Sequence, residues 1–295
     1  VASRGLGDVY KRQIYAWTNR PVWPQGVNHP SADIAKKPDS LNWDLWLGTA
    51  QSKSYSPGLH PFDWRGFWEY GTGALGDIGC HTLDAPYKTL QLGYPSSVEC
   101  TATNVFKKMW TPEYTPEGCP ISSMVTLEYK NSPHNKDGIK LIWMDGGLTP
   151  TIPEEIEEEF IMNYDMGNSS GIMMLGAKGV ITAEIYANNP TLYVKGEDPV
   201  VFDTSKQPNV NDVHAAAWTE ACKAGFNSVE HKNLTSSFDY SGPFTETVIM
   251  GNLALRSRDL RKVVGTRGNG RKIMSYSGRK KLLWDGQNMK IKNLD

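Results

Sequence analysis

The most constraining feature of this chain is a train of short segments rich in β-branched and aromatic residues. They fall at residues 97–106, 121–129, 139–144, 158–163, 171–175, 180–185 and 191–194. Turn signals separate them, and apolar and polar residues alternate tolerably along them. That is the pattern of half-buried strands in a largely antiparallel sheet. Residues 14–18 read as a further strand, ending at Asn19-Arg20-Pro21. Helical spacing appears at 77–92, closed by Gly93 and Pro95, and again at 213–224 and 242–258. From Pro21 to Pro61 the chain is proline-rich and aperiodic, a long loop whose aromatics argue for order, with a short helical turn at 41–47.

Composition narrows the functional classes. With 39% hydrophobic and 21% charged residues, the chain can bury a core. Its 31 basic and 32 acidic side chains leave a net charge of -1, which argues against a grip on nucleic acid by phosphate neutralisation. The basic, glycine-bearing stretch at 256–281 therefore reads as a flexible surface loop. The acidic run at 154–159 reads as a solvated turn and strand edge, not a metal site. No apolar run approaches the length of a bilayer span. Cys80, Cys100, Cys119 and Cys222 lie far apart without a C-x-x-C pair, against structural zinc or a disulfide framework. At the start, Asp8-Val9-Tyr10-Lys11-Arg12-Gln13 is what a translated transposon-end sequencing adaptor encodes. Residues 1–13 are expected to be such a leader, and 14–295 one large domain with a long aromatic loop at 21–70. Localisation is not readable without a natural start.

The densest chemistry lies between Trp64 and Asp84. Gly71, Gly73 and Gly76 satisfy G-x-G-x-x-G at a helix start, with Glu99 further on. A dinucleotide fingerprint needs a buried parallel strand immediately before it, and Phe67-Trp68-Glu69-Tyr70 is not one. The other reading is that the glycines let backbone pass close beneath a ligand and deliver Asp77 and His81 to it. Four residues apart on one helix, these two share a face. A carboxylate beside an imidazole fixes its tautomer and raises its basicity, the arrangement of a general base for an alcohol proton. The plainer alternative is a helix-start acid and a packed histidine. A divalent metal on Asp77, His81 and Asp84 is the weaker option, since one helix rarely closes a site unaided. Six of the ten tryptophans lie between Trp17 and Trp68, which suits either stacking on a sugar-like ligand or a thick core.

Four blocks then occur in order: Trp17-Thr18-Asn19-Arg20-Pro21-Val22-Trp23-Pro24, Trp43-Asp44-Leu45-Trp46-Leu47-Gly48, His60-Pro61-Phe62-Asp63-Trp64-Arg65-Gly66, and Gly73-Ala74-Leu75-Gly76-Asp77-Ile78-Gly79-Cys80-His81-Thr82-Leu83-Asp84. They resemble the Gfo/Idh/MocA oxidoreductases. Phe238-Asp239-Tyr240-Ser241-Gly242-Pro243, Gly251-Asn252-Leu253-Ala254-Leu255-Arg256 and Leu283-Trp284-Asp285-Gly286 continue the resemblance. It implies an α+β fold: a large, mostly antiparallel open β-sheet with helices on one face, as in the substrate domain of glyceraldehyde-3-phosphate dehydrogenase. It also implies a preceding Rossmann domain for NAD or NADP, with a catalytic Lys in an E-K-P motif. Neither has a counterpart here, so the chain reads as the C-terminal substrate-binding and dimerisation domain alone, with NAD or NADP held mainly elsewhere. By the same resemblance His81 is the acid/base and Asp77 its partner. Arg20, Trp17, Trp64, Arg65, Trp68 and Asp84 fall where the family's substrate-facing loops run. The implied activity is hydride transfer between a sugar, polyol or related hydroxyl compound and a nicotinamide, in a homo-oligomer associating through the sheet face. An NAD-dependent glycosidase working by transient oxidation and elimination, and a non-catalytic carbohydrate-binding protein, are the alternatives.

Overall fold

The computed structural model describes residues 13–30, 36–130, 132–133, 137–153, 156, 169–205 and 207–294. Of the sequence expectations, the strand at 158–163 and the acidic run other than Ile156 lie outside these residues, as does the leader apart from Gln13.

The strands are β1 (Gln13–Trp17), β2 (Ser97–Ala102), β3 (Phe106–Lys108), β4 (Thr111–Pro112), β5 (Ser123–Tyr129), β6 (Ile139–Met144), β7 (Gly171–Leu175), β8 (Val180–Glu184), β9 (Thr191–Tyr193), β10 (Val200–Val201), β11 (Lys262–Thr266), β12 (Lys272–Ser275), β13 (Leu282–Asp285) and β14 (Lys290–Ile291). Among the described residues they form one ten-stranded sheet in the order β10-β9-β8-β7-β1-β6-β5-β2-β13-β14, and two small ribbons, β11-β12 and β3-β4. Every ladder of the large sheet is antiparallel except that between β1 and β6, which is parallel with Tyr15 opposite Ile142. The fold is thus α+β, with a mostly antiparallel sheet as its frame.

The helices are α1 (Trp43–Leu47), α2 (Gly73–Thr82), α3 (Asp84–Leu90), α4 (Val210–Ala224), α5 (Val229–Lys232) and α6 (Phe238–Ser257). On β5 the alternation is complete: Ser123, Val125, Leu127 and Tyr129 turn inward and the residues between them are half-exposed. Val125 and Leu127 join Ile14, Leu141 and Trp143 of the sheet and Leu75, Ile78, Phe244, Val248 and Leu255 of α2 and α6 in the main core. Removal of this apolar surface from water is the principal stabilising term. On the opposite face, Trp17, Met173, Val180 and Tyr193 pack with Ile156 in a second cluster. A third cluster, Trp43, Leu47, Leu59 and Phe67, lies within the aromatic loop. There Trp43 and Trp46 stack at 4.6 Å, and the Trp43 indole donates to the Lys53 carbonyl at 2.8 Å. Among its described residues the loop is therefore a packed unit with its own core.

Two sequence expectations are corrected. The helix over 77–92 begins four residues earlier, at Gly73, and breaks at Leu83 into α2 and α3. The stretch expected to be a flexible loop at 256–281 contains the ribbon β11-β12, with Lys262 opposite Ser275 and Thr266 opposite Lys272. Val263, Val264 and Ile273 supply its β propensity, and Gly270 at φ +81° makes the turn.

Candidate active site

The glycines of α2 are used by the fold itself. Gly73 has φ +63°, and a Cβ there would lie 3.1 Å from the Cys119 sulfur. A Cβ on Gly71 would lie 2.5 Å from the Arg65 carbonyl oxygen, and one on Gly76 would run into the Thr72 side chain. What precedes the helix is a 3-10 turn, Asp63–Gly66, not a strand. These glycines thus serve close internal packing and make no cradle for a dinucleotide phosphate. Further along, Gly79 packs against Val248 of α6, and α2 buries Ala74, Leu75, Ile78 and Thr82 while Asp77 is left half-buried and His81 exposed on the outer side.

Asp77 is held by Arg65 rather than by His81. The Arg65 Nε donates to Asp77 Oδ1 at 3.1 Å, and its Nη1 donates to the Phe62 carbonyl at 3.1 Å. The guanidinium also lies 4.3 Å from the Phe62 ring centroid and 4.6 Å from that of Trp64. A planar cation stacked on two rings and bonded to a carboxylate is fixed in place, an arrangement in which lysine is no substitute. The short 3-10 turn brings Arg65 back over α2, and the turn is itself tied by the Phe67 N–H donating to the Trp64 carbonyl at 3.2 Å.

His81 meets a residue that the sequence reading did not single out. Its ring lies edge-to-face with Tyr186, centroids 4.9 Å apart at 70°. Tyr186 follows β8 in a turn, Ile185–Ala187. The only sequence signal for this loop is its turn composition, Asn188-Asn189-Pro190, which says nothing of an aromatic ring turned toward α2.

The other expected site residues divide. Arg20, half-buried after β1, accepts on its carbonyl from Gly146 N–H at 2.6 Å, and its guanidinium meets no acid among the described residues. Trp64 and Trp68 are half-buried; the former stacks on Arg65, and the Trp68 ring lies 5.9 Å from the Arg256 guanidinium. Asp84 accepts from the Tyr240 hydroxyl at 2.5 Å. Burial, then this bond to Asp84, holds the Tyr240 phenol well above its ordinary range, so it remains a donor. Trp17 is 1% exposed in the second core cluster, which leaves it no surface to offer a ligand. Of the six clustered tryptophans, Trp17, Trp23 and Trp43 are core.

Next to Gly146, whose N–H bonds the Arg20 carbonyl, lies a buried carboxylate that sequence patterns do not reveal. Asp145, at the end of β6, accepts from the Ser123 N–H at 2.5 Å, from the Ser123 hydroxyl at 2.9 Å and from the Trp143 indole at 2.9 Å. Burial outweighs these bonds and raises its carboxyl to about 6. Among the described residues no three His, Cys, Asp or Glu side chains gather as a metal site. No helix among them is long and apolar enough to cross a membrane.

Comparison with known proteins agrees with the resemblance seen in the sequence. Residues 9–106 match the Gfo/Idh/MocA model described as "Oxidoreductase family, C-terminal alpha/beta domain". That matched segment carries Arg20, Arg65, Asp77 and His81. The blocks beyond residue 106 lie outside the match. A comparison with curated protein sequences found no match. Among solved structures the chain is similar to a levoglucosan dehydrogenase in complex with NADH and levoglucosan (13% identity, TM-score 0.44, covering 88% of this chain and 60% of that one). It is also similar to a UDP-N-acetylglucosamine 3-dehydrogenase from Acidithiobacillus ferrooxidans (10%, 0.40, 87% and 58%). An oxidoreductase from Sinorhizobium meliloti is a third (11%, 0.40, 92% and 60%). The chain spans less than two-thirds of the length of each, and none is near enough to carry a residue's role across.

Proposed function

We propose that this chain is the substrate-handling part of a nicotinamide-dependent oxidoreductase acting on a hydroxyl group of a sugar, polyol or related compound. The observation that carries the reading is the outer side of α2, where an exposed imidazole stands four residues from a carboxylate already fixed by Arg65. In this reading His81 takes the proton of the hydroxyl being oxidised. Asp77, oriented by Arg65, stabilises the imidazolium that forms on the neighbouring turn. Arg20 and the faces of Trp64 and Trp68 are the candidate contacts for the rest of the sugar, whose rings stack on indoles and whose hydroxyls accept from guanidinium groups. NAD or NADP belongs to the redox step. In this reading the cofactor is held elsewhere than at the glycines of α2, which are taken up by internal packing. A second copy associating through the sheet face on which Tyr15, Met124 and Met144 are half-buried is part of the same proposal.

The test is spectrophotometric. Natural forms of the protein that include any upstream coding sequence should reduce NAD or NADP in the presence of a sugar or polyol. His81→Ala should lower turnover by about 10²- to 10⁴-fold with unchanged circular dichroism. Failure of every natural form to form NADH or NADPH with any sugar or polyol would overturn the dehydrogenase reading. Near-normal turnover by His81→Ala would remove His81 from the chemistry.

A further inference from the structure

The turn after β8 is strained. Tyr186 has φ +65°, Ala187 φ +57° and Asn189 φ +47°, three non-glycine residues in the left-handed region within four positions. Each such conformation is disfavoured for a residue with a Cβ, and an aromatic there is unusual. The conformation persists because the ends of the turn are fixed. Ile185 N–H donates to the Ser170 carbonyl at 3.2 Å and Glu184 N–H to the Asn188 carbonyl at 3.0 Å. Asn189 Nδ2 donates to Glu184 Oε1 at 2.9 Å. On the neighbouring side, the Ser170 and Thr18 hydroxyls are bonded at 2.7 Å, linking the turn to the end of β1 and so to Arg20. The turn seats Ile185 and Ala187 against the main core and turns the Tyr186 ring, 61% exposed, out against the imidazole of His81. Burial cannot be the reason for a ring left mostly in solvent. Left-handed backbone held by surrounding bonds is characteristic of places where a side chain must be aimed.

We propose that Tyr186 is the positioning residue of His81, holding the imidazole by its ring edge at the substrate-facing orientation. The inference rests on the reading of His81 as proton acceptor. Asp77, the expected orienting group, is committed to Arg65, so His81 takes its orientation from the turn after β8 and not from its own helix. The aromatic edge, not the phenolic hydroxyl, does this, which makes phenylalanine an adequate replacement. Glycine adopts φ +65° without cost and removes the ring, so Tyr186→Gly separates aiming from folding.

Three measurements decide it. In the chain labelled with ¹³C-histidine, the His81 ring protons should be displaced by the aromatic ring current. They should stay so in Tyr186→Phe and move to the values of an unrestrained histidine in Tyr186→Gly. Unchanged His81 resonances in the glycine variant would overturn the proposal. The urea midpoint of Tyr186→Gly should equal or exceed that of the unaltered chain; a clear drop would mark the ring as packing only. In an active natural form, Tyr186→Gly should lower kcat by about tenfold or more with KM within about twofold, and Tyr186→Phe should restore kcat. A raised KM at unchanged kcat would make Tyr186 a substrate contact and overturn the positioning role. If no natural form is active, the reading of function fails, while the resonance and urea measurements still decide whether Tyr186 holds His81.

Discussion

Asp145 shows how one residue can couple the end of the sheet to pH. Its carboxyl is 3% exposed and raised to about 6, against an ordinary value of 3.8. Between these two values the folded state binds more protons at this site than the unfolded state does. Stability contributed here is therefore present below about pH 4 and lost as pH rises through 6. Asp145→Asn removes the titration while keeping one acceptor for the Ser123 and Trp143 donors. Measured by urea unfolding, the stability of the unaltered chain relative to Asp145→Asn should fall by about 2 kcal/mol between pH 4 and pH 7. A pH-independent difference would show that Asp145 is not buried as described. At this scale the sequence was readable only in part. Asp77 and His81 could be paired by their spacing on a helix, and they do share a side. That Arg65 takes Asp77 depends on a 3-10 turn folding twelve residues of chain back on themselves, which no spacing rule contains. Tyr186 was hidden for a similar reason: the sign of its φ is set by hydrogen bonds to Ser170 and Asn188, not by its own identity.

Helix α2 is seated by glycines on both partners. On α6, a Cβ at Gly251 would lie 2.4 Å from Leu75 Cδ2 and 3.0 Å from Val125 Cγ1, at the junction of α2, α6 and β5. Helix propensity alone makes Gly251→Ala favourable by about 1 kcal/mol. Overpacking a closed junction opposes this by about 1–3 kcal/mol, because Leu75 is itself buried and has nowhere to go. The variant should be destabilised in urea by up to about 2 kcal/mol, and a stabilised variant would show that α2 is loosely seated. Elements were more legible than contacts. β6 and β7 occupy 139–144 and 171–175 as expected, their apolar residues meeting the main core on one face (Leu141, Trp143, Ile172) and the second cluster on the other (Met144, Met173). The ribbon β11-β12 is obscured in the sequence by the cations and glycines around its turn, and its β-branched residues face solvent rather than a core.

Taken whole, the molecule has parts of very different stability. The ten-stranded sheet is bonded on both sides of most strands and packed against α2 and α6, whereas β11-β12 is paired only with itself. A two-stranded ribbon alone in water is marginal. In hydrogen exchange, the ladder amides of Val263 to Ser275 should exchange well before those of β5 and β6, and equal protection would mean that something covers the ribbon. The sheet as a frame was legible from the alternating segments, and the aromatic loop from its composition. The central place of β1 was not, since its partners lie more than a hundred residues away.

That central place has a consequence for what the protein avoids. β1 stands between β6 and β7, and among the described residues it is the sole strand joining the β7–β10 side of the sheet to the β6–β14 side. Each side can form from its own nearby segments, but until β1 enters, β6 and β7 each present an open row of unpaired amides and carbonyls beside apolar side chains. Such edges recruit any extended peptide, including those of other copies. Five residues, Gln13 to Trp17, therefore seal the molecule against self-recruitment, and the same strand then runs on to Arg20. Loss or delayed entry of β1 would show itself first as aggregation and only afterwards as a missing site.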